Sequence, residues 1–166
     1  MRIGVISDTH LREVTKEFKD LVEEYFVTCD YLFHLGDFTS LALYEFLKGF
    51  MGGRLAAVCG NMDPLEVRRV LPERQVLEFE GVRIGLAHGW GAPYDLEERL
   101  ERLFSNEGVH CIVYGHTHNG ANHRRGDVLF FNPGSPTDRV FATVNTIGYL
   151  EVSEGKISGR LVEVKP

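Results

Sequence analysis

Short apolar runs alternate with amphipathic stretches along the first third of the chain. Three apolar runs predict buried strands, at Arg2–Ile6, Tyr31–Leu35 and Arg54–Val58. Thr15–Val27 carries apolar residues at helical spacing and predicts a helix after the first strand. Leu41–Lys48 predicts a second, shorter helix, which we expect Gly49 to end. This part of the chain therefore has the order βαβαβ.

Strands dominate the remainder of the chain. Further apolar runs predict strands at Val76–Phe79, Val82–Ala87, His110–Tyr114, Val128–Phe131, Ile147–Val152 and Ile157–Val164. Pro64–Val70 predicts a short helix or turn, and we expect Asp95 to cap a helix that runs to about Asn106. From Asp127 onward the turn residues predict antiparallel pairing. This order of elements predicts a mixed α/β sandwich rather than a purely parallel sheet.

Length and composition are compatible with one folded domain. The 166 residues are enough to bury a core, and 43% of them are hydrophobic and 25% charged. The sequence contains no repeat, low-complexity segment or linker, so we expect a single domain over residues 1–166. With 18 basic and 24 acidic residues the formal net charge is −6, which argues against binding to duplex nucleic acid.

The cysteines and the N-terminus bear on the cellular compartment. Cys29, Cys59 and Cys111 lie in or beside apolar runs without CxxC spacing, so we expect buried free thiols and a cytoplasmic protein. Asp8 interrupts the apolar N-terminus too early for a signal peptide or a spanning helix. We therefore expect no association with a membrane.

Potential metal ligands follow five of the predicted strands. These residues are Asp8, His10, Asp37, Asn61, His88, His116 and His118. In open α/β sheets, ligands bind beyond the carboxyl ends of the strands, where several loops converge. Within an extended segment, residues i and i+2 point the same way, so Asp8 with His10 and His116 with His118 could each act as a pair. Seven nitrogen and oxygen ligands are enough for two ions with positions left for water and substrate.

Each of these residues also has an ordinary structural interpretation. Asp8 could cap a helix, and Asp37 and Asn61 could be turn residues. His88 could be a hydrogen-bonded histidine near a turn. The structural interpretation is weaker for the set as a whole, because every member lies at the same predicted end of a strand. Three further histidines, His34, His110 and His123, are expected to be structural or solvated, although His123 could approach a substrate.

The ordered motifs resemble the calcineurin-like metallophosphoesterase signature. They are Asp8-Thr9-His10, Gly36-Asp37, Gly60-Asn61, His88-Gly89 and Gly115-His116-Thr117-His118, and the resemblance covers nearly the whole chain. The small size and the block Asn132-Pro133-Gly134-Ser135 most resemble the compact bacterial and archaeal phosphodiesterases of that superfamily. The resemblance implies an α/β fold, with a two-sheet β-sandwich flanked by helices. It also implies that the 132–135 block packs behind the metal pair.

The resemblance implies two divalent ions per chain. The family pattern gives the first ion to Asp8, His10, Asp37 and His118, and the second to Asp37, Asn61, His88 and His116. Mn²⁺ is the expected metal, with Ni²⁺, Co²⁺, Fe²⁺ or Zn²⁺ as alternatives, since affinity alone does not choose among them. The implied activity is hydrolysis of a small phosphodiester by a metal-bridging hydroxide, with Asp37, Asn61 and His88 in catalytic positions.

Position 62 departs from the wider superfamily. Many members have a histidine directly after the ligand asparagine, where it helps the leaving group, whereas this chain has Met62 followed by Asp63. A thioether cannot transfer a proton. The alternative to an enzyme is a protein-binding scaffold with a vestigial metal site, similar to the retromer subunit, which is a eukaryotic relative. A homo-oligomer is compatible with either function.

Overall fold

The computed structural model describes residues 1–165, and the elements follow one another in the order below. The strands are β1 (Arg2–Ile6), β2 (Tyr31–His34), β3 (Leu55–Ala57), β4 (Arg74–Phe79), β5 (Val82–Ala87), β6 (Cys111–Val113), β7 (Gly120–Arg125), β8 (Val128–Pro133), β9 (Thr146–Ser153) and β10 (Lys156–Glu163). The α-helices are α1 (Lys16–Phe26), α2 (Leu41–Met51), α3 (Leu65–Arg68) and α4 (Leu96–Leu103).

The strands form two five-stranded sheets that pack face to face. The first sheet has the order β10-β9-β1-β2-β3, with β1, β2 and β3 parallel and β9 and β10 antiparallel. The second has the order β4-β5-β6-β8-β7, with β5, β6 and β8 parallel and antiparallel strands at both edges. The expected two-sheet sandwich flanked by helices is confirmed.

Three apolar layers hold the sandwich together. Between the sheets, side chains such as Val5 and Phe33 meet Ile84 and Phe131, all without exposed surface. Helices α1 and α2 bury one face each on the outer side of the first sheet. Helix α4 covers the outer side of the second sheet. Each helix carries apolar residues on one face only, and this amphipathic pattern directs that face onto a sheet.

Several elements differ from the sequence prediction. Helix α2 does not end at Gly49 but continues to Met51, and Gly52 caps it in the left-handed conformation. Helix α4 ends at Leu103 rather than near Asn106, and the Asp95 side chain does not cap it. Asp95 instead forms an ion pair with Arg99 one turn later. The core accounts for the extension of α2, because Met51 is 1% exposed.

The second sheet contains a strand that the sequence prediction missed. Strand β7 pairs antiparallel with β8 from Gly120 to Arg125, so His123 lies in a strand and not in a loop. Strand β8 also pairs parallel with β6, so the pairing after Asp127 is not purely antiparallel. Among residues 1–165, no helix is long and apolar enough to cross a membrane.

Loops after β1, β2, β3, β5 and β6 meet at one end of the sandwich. Backbone hydrogen bonds join them directly: the Asp8 N–H donates to Gly36 O at 3.0 Å and the Gly115 N–H donates to His88 O at 3.0 Å. The hydrogen bond from Asp8 to Gly36 lies within the first sheet, and the one from Gly115 to His88 lies within the second. The His116 N–H then joins the two sheets by donating to Asp8 Oδ2 at 3.0 Å.

Candidate metal centre

Asp8 and Asp37 lie at the centre of this end of the sandwich. Asp8 Oδ1 is 3.4 Å from His118 Nε2, 3.7 Å from His88 Nε2 and 4.0 Å from His10 Nε2. Asp37 Oδ2 is 3.3 Å from His88 Nε2 and 3.5 Å from His10 Nε2. Both carboxylates are almost fully buried. The two carboxylates thus share the nitrogen atoms of His10 and His88 as neighbours.

Two overlapping groups of side chains have the spacing of metal ligands. Asp8, His10 and His118 form one, and Asp8, Asp37 and His88 the other, with potential ligand atoms within 4.8 Å of one another in each. Asp8 belongs to both groups, whereas the family pattern makes Asp37 the shared ligand. His10 lies near both carboxylates, so either Asp8 or Asp37 could be shared between two ions. The bridging role of Asp37 therefore stays a prediction.

Asn61 and His116 extend the cluster on the side of His88. Asn61 Oδ1 lies 3.1 Å from His88 Nε2 and 3.1 Å from His116 Nδ1. The amide oxygen therefore faces two imidazole nitrogens. All seven residues that the sequence singled out are thus brought to one end of the sandwich, as a continuous chain of ligand-type atoms from His10 to His116.

Three of the histidine rings are fixed through the nitrogen that points away from the cluster. His88 Nδ1 lies 2.6 Å from Leu35 O, and His116 Nε2 lies 2.8 Å from Gly91 O. A carbonyl oxygen only accepts, so these nitrogens carry the proton and donate it. His118 Nδ1 is held in the same manner, 2.8 Å from the Asp138 carboxylate. Metal-bound histidines commonly have this arrangement, which directs the other nitrogen into the cluster.

The cluster is suited to a pair of cations because some of its buried polar atoms lack a hydrogen-bond partner among the described residues. Buried Asp8 Oδ1 and His10 Nε2 have no hydrogen-bond partner within residues 1–165. Both atoms face the cluster, and an unpaired buried carboxylate oxygen is costly unless a cation satisfies it. Imidazole, carboxylate and amide ligands in one group suit divalent transition metals.

Two glycines make the close approach of the loops possible. A Cβ atom on Gly60 would lie 2.1 Å from Asp37 Oδ1, and one on Gly115 would lie 2.0 Å from Ser7 Oγ. No side chain can be accommodated at such distances. The glycines in the Gly60-Asn61 and Gly115-His116 motifs therefore leave room for the carboxylate loops.

The backbone of the ligand loops is left-handed rather than extended. The φ angles are +53° at Asp8, +47° at His10 and +57° at Asp37. At His116 and His118 they are +71° and +58°. These segments are not extended, so the geometric reason given for pairing Asp8 with His10 was wrong, although the two side chains do lie together at the cluster. Non-glycine residues adopt this region at a cost, and such strain concentrates at functional sites.

Asp63 holds the Asp37 loop in this conformation. Its Oδ2 accepts the N–H groups of Asp37 at 2.9 Å and Gly60 at 2.7 Å, and its Oδ1 accepts the N–H of Thr39 at 2.8 Å. The side chain is 4% exposed, and burial raises the pKa of the carboxyl despite these donors. Both oxygens are occupied by backbone groups, so Asp63 is a positioning residue.

The block from Asn132 to Ser135 supports the other loops. Ser135 Oγ donates to Asp8 O at 2.7 Å, and the Asn132 amide donates to Gly115 O at 2.8 Å. Both side chains are fully buried. The block thus packs behind the cluster, as the resemblance implied.

Asp138 is a carboxylate at the site that the sequence prediction did not include. It accepts from His118 Nδ1 and from the backbone N–H groups of Val140, Phe141 and Ala142. Burial raises the pKa of Asp138, but these donors outweigh it and lower the value to about 2. The carboxylate is therefore ionised at neutral pH and orients the His118 ring.

The charges of the cluster influence one another strongly. Burial raises the pKa of Asp8. Burial also raises that of Asp37, but the His88 ring and the Met62 N–H outweigh it, so its pKa falls. Burial lowers the pKa of His88, yet the hydrogen bond to Asp37 and the charge of Asp8 raise it to about 9. Positive charge is therefore favoured beside the two carboxylates.

The remaining residues of interest have structural contacts. Met62 is 60% exposed, and its backbone N–H donates to Asp37 Oδ1 at 2.7 Å. His34 is fully buried, stacks on Phe38 and lies 3.1 Å from Thr9 Oγ1, in agreement with a structural role. His123 lies 3.0 Å from Glu97 Oε2.

Comparison with known proteins agrees with this arrangement. The model of the calcineurin-like phosphoesterase superfamily domain matches residues 1–155. A probable metallophosphoesterase of Methanocaldococcus jannaschii is 40% identical over 139 residues, which cover 82% of this chain and 69% of that protein. A second protein of that organism, named a phosphodiesterase, is 25% identical over an alignment that covers 93% of this chain and 95% of that protein.

Solved structures agree at the level of the fold. Wild-type Vps29 of Entamoeba histolytica, complexed with Zn²⁺, superposes with a TM-score of 0.73 at 23% identity, and covers 98% of this chain and 99% of that chain. At this identity the likeness shows the fold alone. The family model matches most of the chain, and the 40% identical relative covers most of it independently. The chain therefore belongs to the calcineurin-like phosphoesterase superfamily.

Proposed function

We propose that this chain is a dinuclear metal-dependent phosphodiesterase. The observation that carries the proposal is the convergence of imidazole nitrogens on the buried Asp8 and Asp37 carboxylates, with Asp8 Oδ1 unpaired among the described residues. Such a cluster is unfavourable in a merely structural role, because it leaves a buried carboxylate oxygen without a partner. Cations at the cluster would remove that cost.

The proposed ligand sets follow the family pattern. The first ion is assigned to Asp8, His10, Asp37 and His118, and the second to Asp37, Asn61, His88 and His116. Mn²⁺ is the proposed metal, with the other divalent transition metals as alternatives. When bound, the two ions would neutralise the phosphate charge and activate a water for in-line attack.

The chain's own residues orient the reacting groups. Leu35 O, Gly91 O and the Asp138 carboxylate fix the rings of His88, His116 and His118, so each directs its other nitrogen toward the cluster. A cation bound there would displace any proton that this nitrogen carries. Asn61 and His88 border an open cavity, where a phosphate oxygen can approach them. Preorganised groups of this kind stabilise developing charge without reorganisation.

A phosphodiester substrate is favoured over an alkyl phosphomonoester. Met62 stands where many superfamily members have a proton-donating histidine, and Asp63 beside it is fully engaged with backbone N–H groups. A catalyst without a general acid is best suited to leaving groups that depart as stable anions. The relative that is named a phosphodiesterase, although only 25% identical, supports the same class.

Metal analysis tests the proposal against the scaffold alternative. The protein is incubated with Mn²⁺, desalted and analysed for metal, and its hydrolysis of bis(p-nitrophenyl) phosphate is measured in parallel. We expect close to two ions per chain and hydrolysis that is abolished by a chelator. A folded sample that binds almost no metal and hydrolyses no diester would overturn the enzyme and favour a protein-binding module with a vestigial site.

A further inference from the structure

A cavity opens directly beside two of the predicted ligands. It encloses about 330 Å³, and Asn61 and His88 are among its lining residues. Cys59, Trp90 and Leu103 also line it. Small-molecule sites fall in the range of about 300–1,000 Å³, so the cavity can take one arm of a substrate whose phosphate lies at the metal centre.

Trp90 is placed at this cavity by the turn that follows strand β5 and contains His88. After β5 ends, His88 turns inward, and Gly89 has a φ of +102°. A Cβ atom on Gly89 would lie 2.8 Å from the Leu96 side chain, so only glycine fits this turn. The next residue, Trp90, is 46% exposed. The proposed ligand His88 and Trp90 are therefore two positions apart in one turn.

Arg99 holds Trp90 in place. Its guanidinium carbon lies 5.9 Å from the centroid of the Trp90 ring, and its Nη2 donates to the carbonyl oxygens of Trp90 and Ala92. An exposed indole normally has freedom to change rotamer, and this cation–π contact together with the backbone bonds restricts it. Trp90 is thus a preorganised aromatic surface at the edge of the cavity.

The lining of the cavity combines apolar surface with positive charge. Arg68 and Arg74 line the cavity together with the acidic residue Glu73, and Arg74 is paired with Glu107 at 3.3 Å, so Arg68 is the main source of positive charge. Arg68 donates to Asn61 O at 2.6 Å, and so connects the cavity wall to a predicted ligand. A planar, weakly polar ring attached to a phosphate matches these features better than an alkyl chain or a second anion alone, because the ring can stack on the indole.

From this arrangement we propose that the cavity is a binding subsite for a planar aromatic arm of the diester, of nucleobase type, with its ring stacked on Trp90. The inference rests on the proposed phosphodiesterase function, because the metal centre holds the phosphate that the arm is attached to. Trp90 is a specificity residue in this proposal and takes no part in the chemistry.

The sequence contains one tryptophan and six tyrosines, so fluorescence excited at a wavelength that tyrosine does not absorb reports on Trp90 alone. The Mn²⁺-incubated protein is titrated with adenosine 5′-monophosphate and, separately, with ribose 5-phosphate, which carries the same phosphate and sugar without the base. We expect saturable quenching by the nucleotide, and at least tenfold weaker binding of the sugar phosphate. An equal response to both compounds, or no saturable response to either, overturns the subsite.

Variants separate stacking from general surface effects. With thymidine 5′-(p-nitrophenyl phosphate) as substrate, Trp90→Ala is expected to raise KM about tenfold with kcat nearly unchanged, and Trp90→Phe to stay within about threefold of wild type. Tyr94→Ala is the matched control, since Tyr94 is an 88% exposed aromatic residue on the same loop and outside the cavity lining. An unchanged KM in Trp90→Ala contradicts the subsite.

The two proposals fail in distinguishable ways. If the protein binds metal and hydrolyses diesters while Trp90→Ala is indistinguishable from Tyr94→Ala, the subsite is wrong and the phosphodiesterase function stands. If adenosine 5′-monophosphate quenches Trp90 selectively while no diester is hydrolysed, the subsite stands and the proposed catalytic function is wrong.

Discussion

Asp63 offers the most direct test of how the metal-centre loops are held. Its carboxylate accepts three backbone N–H groups, from Asp37, Thr39 and Gly60, at 2.7–2.9 Å. Asp63→Ala leaves all three donors unpaired in a buried place. Asp63→Asn keeps one acceptor oxygen. Its NH₂ group then faces the backbone N–H groups that had donated to the other carboxylate oxygen.

The expected loss of stability follows from the number of donors. A hydrogen bond to a charged group contributes about 1.5–3 kcal/mol, and an unsatisfied buried donor costs about 1–3 kcal/mol. The cost of three unsatisfied donors sums to about 3–9 kcal/mol, and water can enter the space that the carboxylate leaves, so we take the lower third of that range, about 3–5 kcal/mol, for Asp63→Ala. For a domain of this size, that corresponds to a fall in Tm of about 6–20 °C.

Urea unfolding of the metal-free protein, followed by circular dichroism, measures the change. We expect the midpoint to fall without a change in m-value, and Asp63→Asn to lose roughly half as much free energy of unfolding as Asp63→Ala. Glu66→Ala, at an exposed position three residues later, serves as the control and should stay within about 0.5 kcal/mol of wild type. A loss below about 1 kcal/mol in Asp63→Ala would refute the role of this carboxylate.

Three further changes test the site itself. Asp37→Asn should lower metal content and diesterase activity together, because both proposed ions share this carboxylate. His123→Ala is the control and should keep its metal. Full metal loading and full activity in Asp37→Asn would contradict the bridging role. Met62→His should raise the hydrolysis rate with alkyl leaving groups relative to aryl ones by up to about 10²-fold. A plot of rate against leaving-group pKa measures this change. An unchanged slope would mean that position 62 does not face the leaving group. Asp138→Asn should weaken metal affinity about 10- to 100-fold by loosening His118, measured by competition with a chelator, and unchanged affinity would exclude that positioning role.

The residues of the cluster could be predicted from the sequence because strand ends are visible in it. Each proposed ligand follows an apolar run, and parallel strands bring their carboxyl ends to one edge. The residues that orient the ligands could not be predicted in the same way. Asp138 follows no strand directly, and its function depends on the approach of His118 from 20 residues earlier. Asp63 was visible only as a neighbour of Met62, and its three partners come from two different loops.

The errors in the elements also have physical causes. Strand β7 contains Asn122, His123 and Arg124 and lacks an apolar alternation, because it is an edge strand whose pairing depends on the backbone of β8. Gly49 did not end α2 because an exposed helical glycine costs only about 1 kcal/mol, and burial of Met51 in the next half-turn outweighs that cost.

The contacts that hold the Asp8 loop join very distant parts of the chain. The His116 N–H and the Ser135 hydroxyl reach Asp8 across 108 and 127 positions. These contacts join the two sheets across long stretches of chain, so we expect the centre to form late in folding. An ion bound there would slow unfolding without accelerating folding, because the folding transition state does not yet contain its site. The lifetime of the native chain under heat or forced unfolding would then depend on the supply of metal.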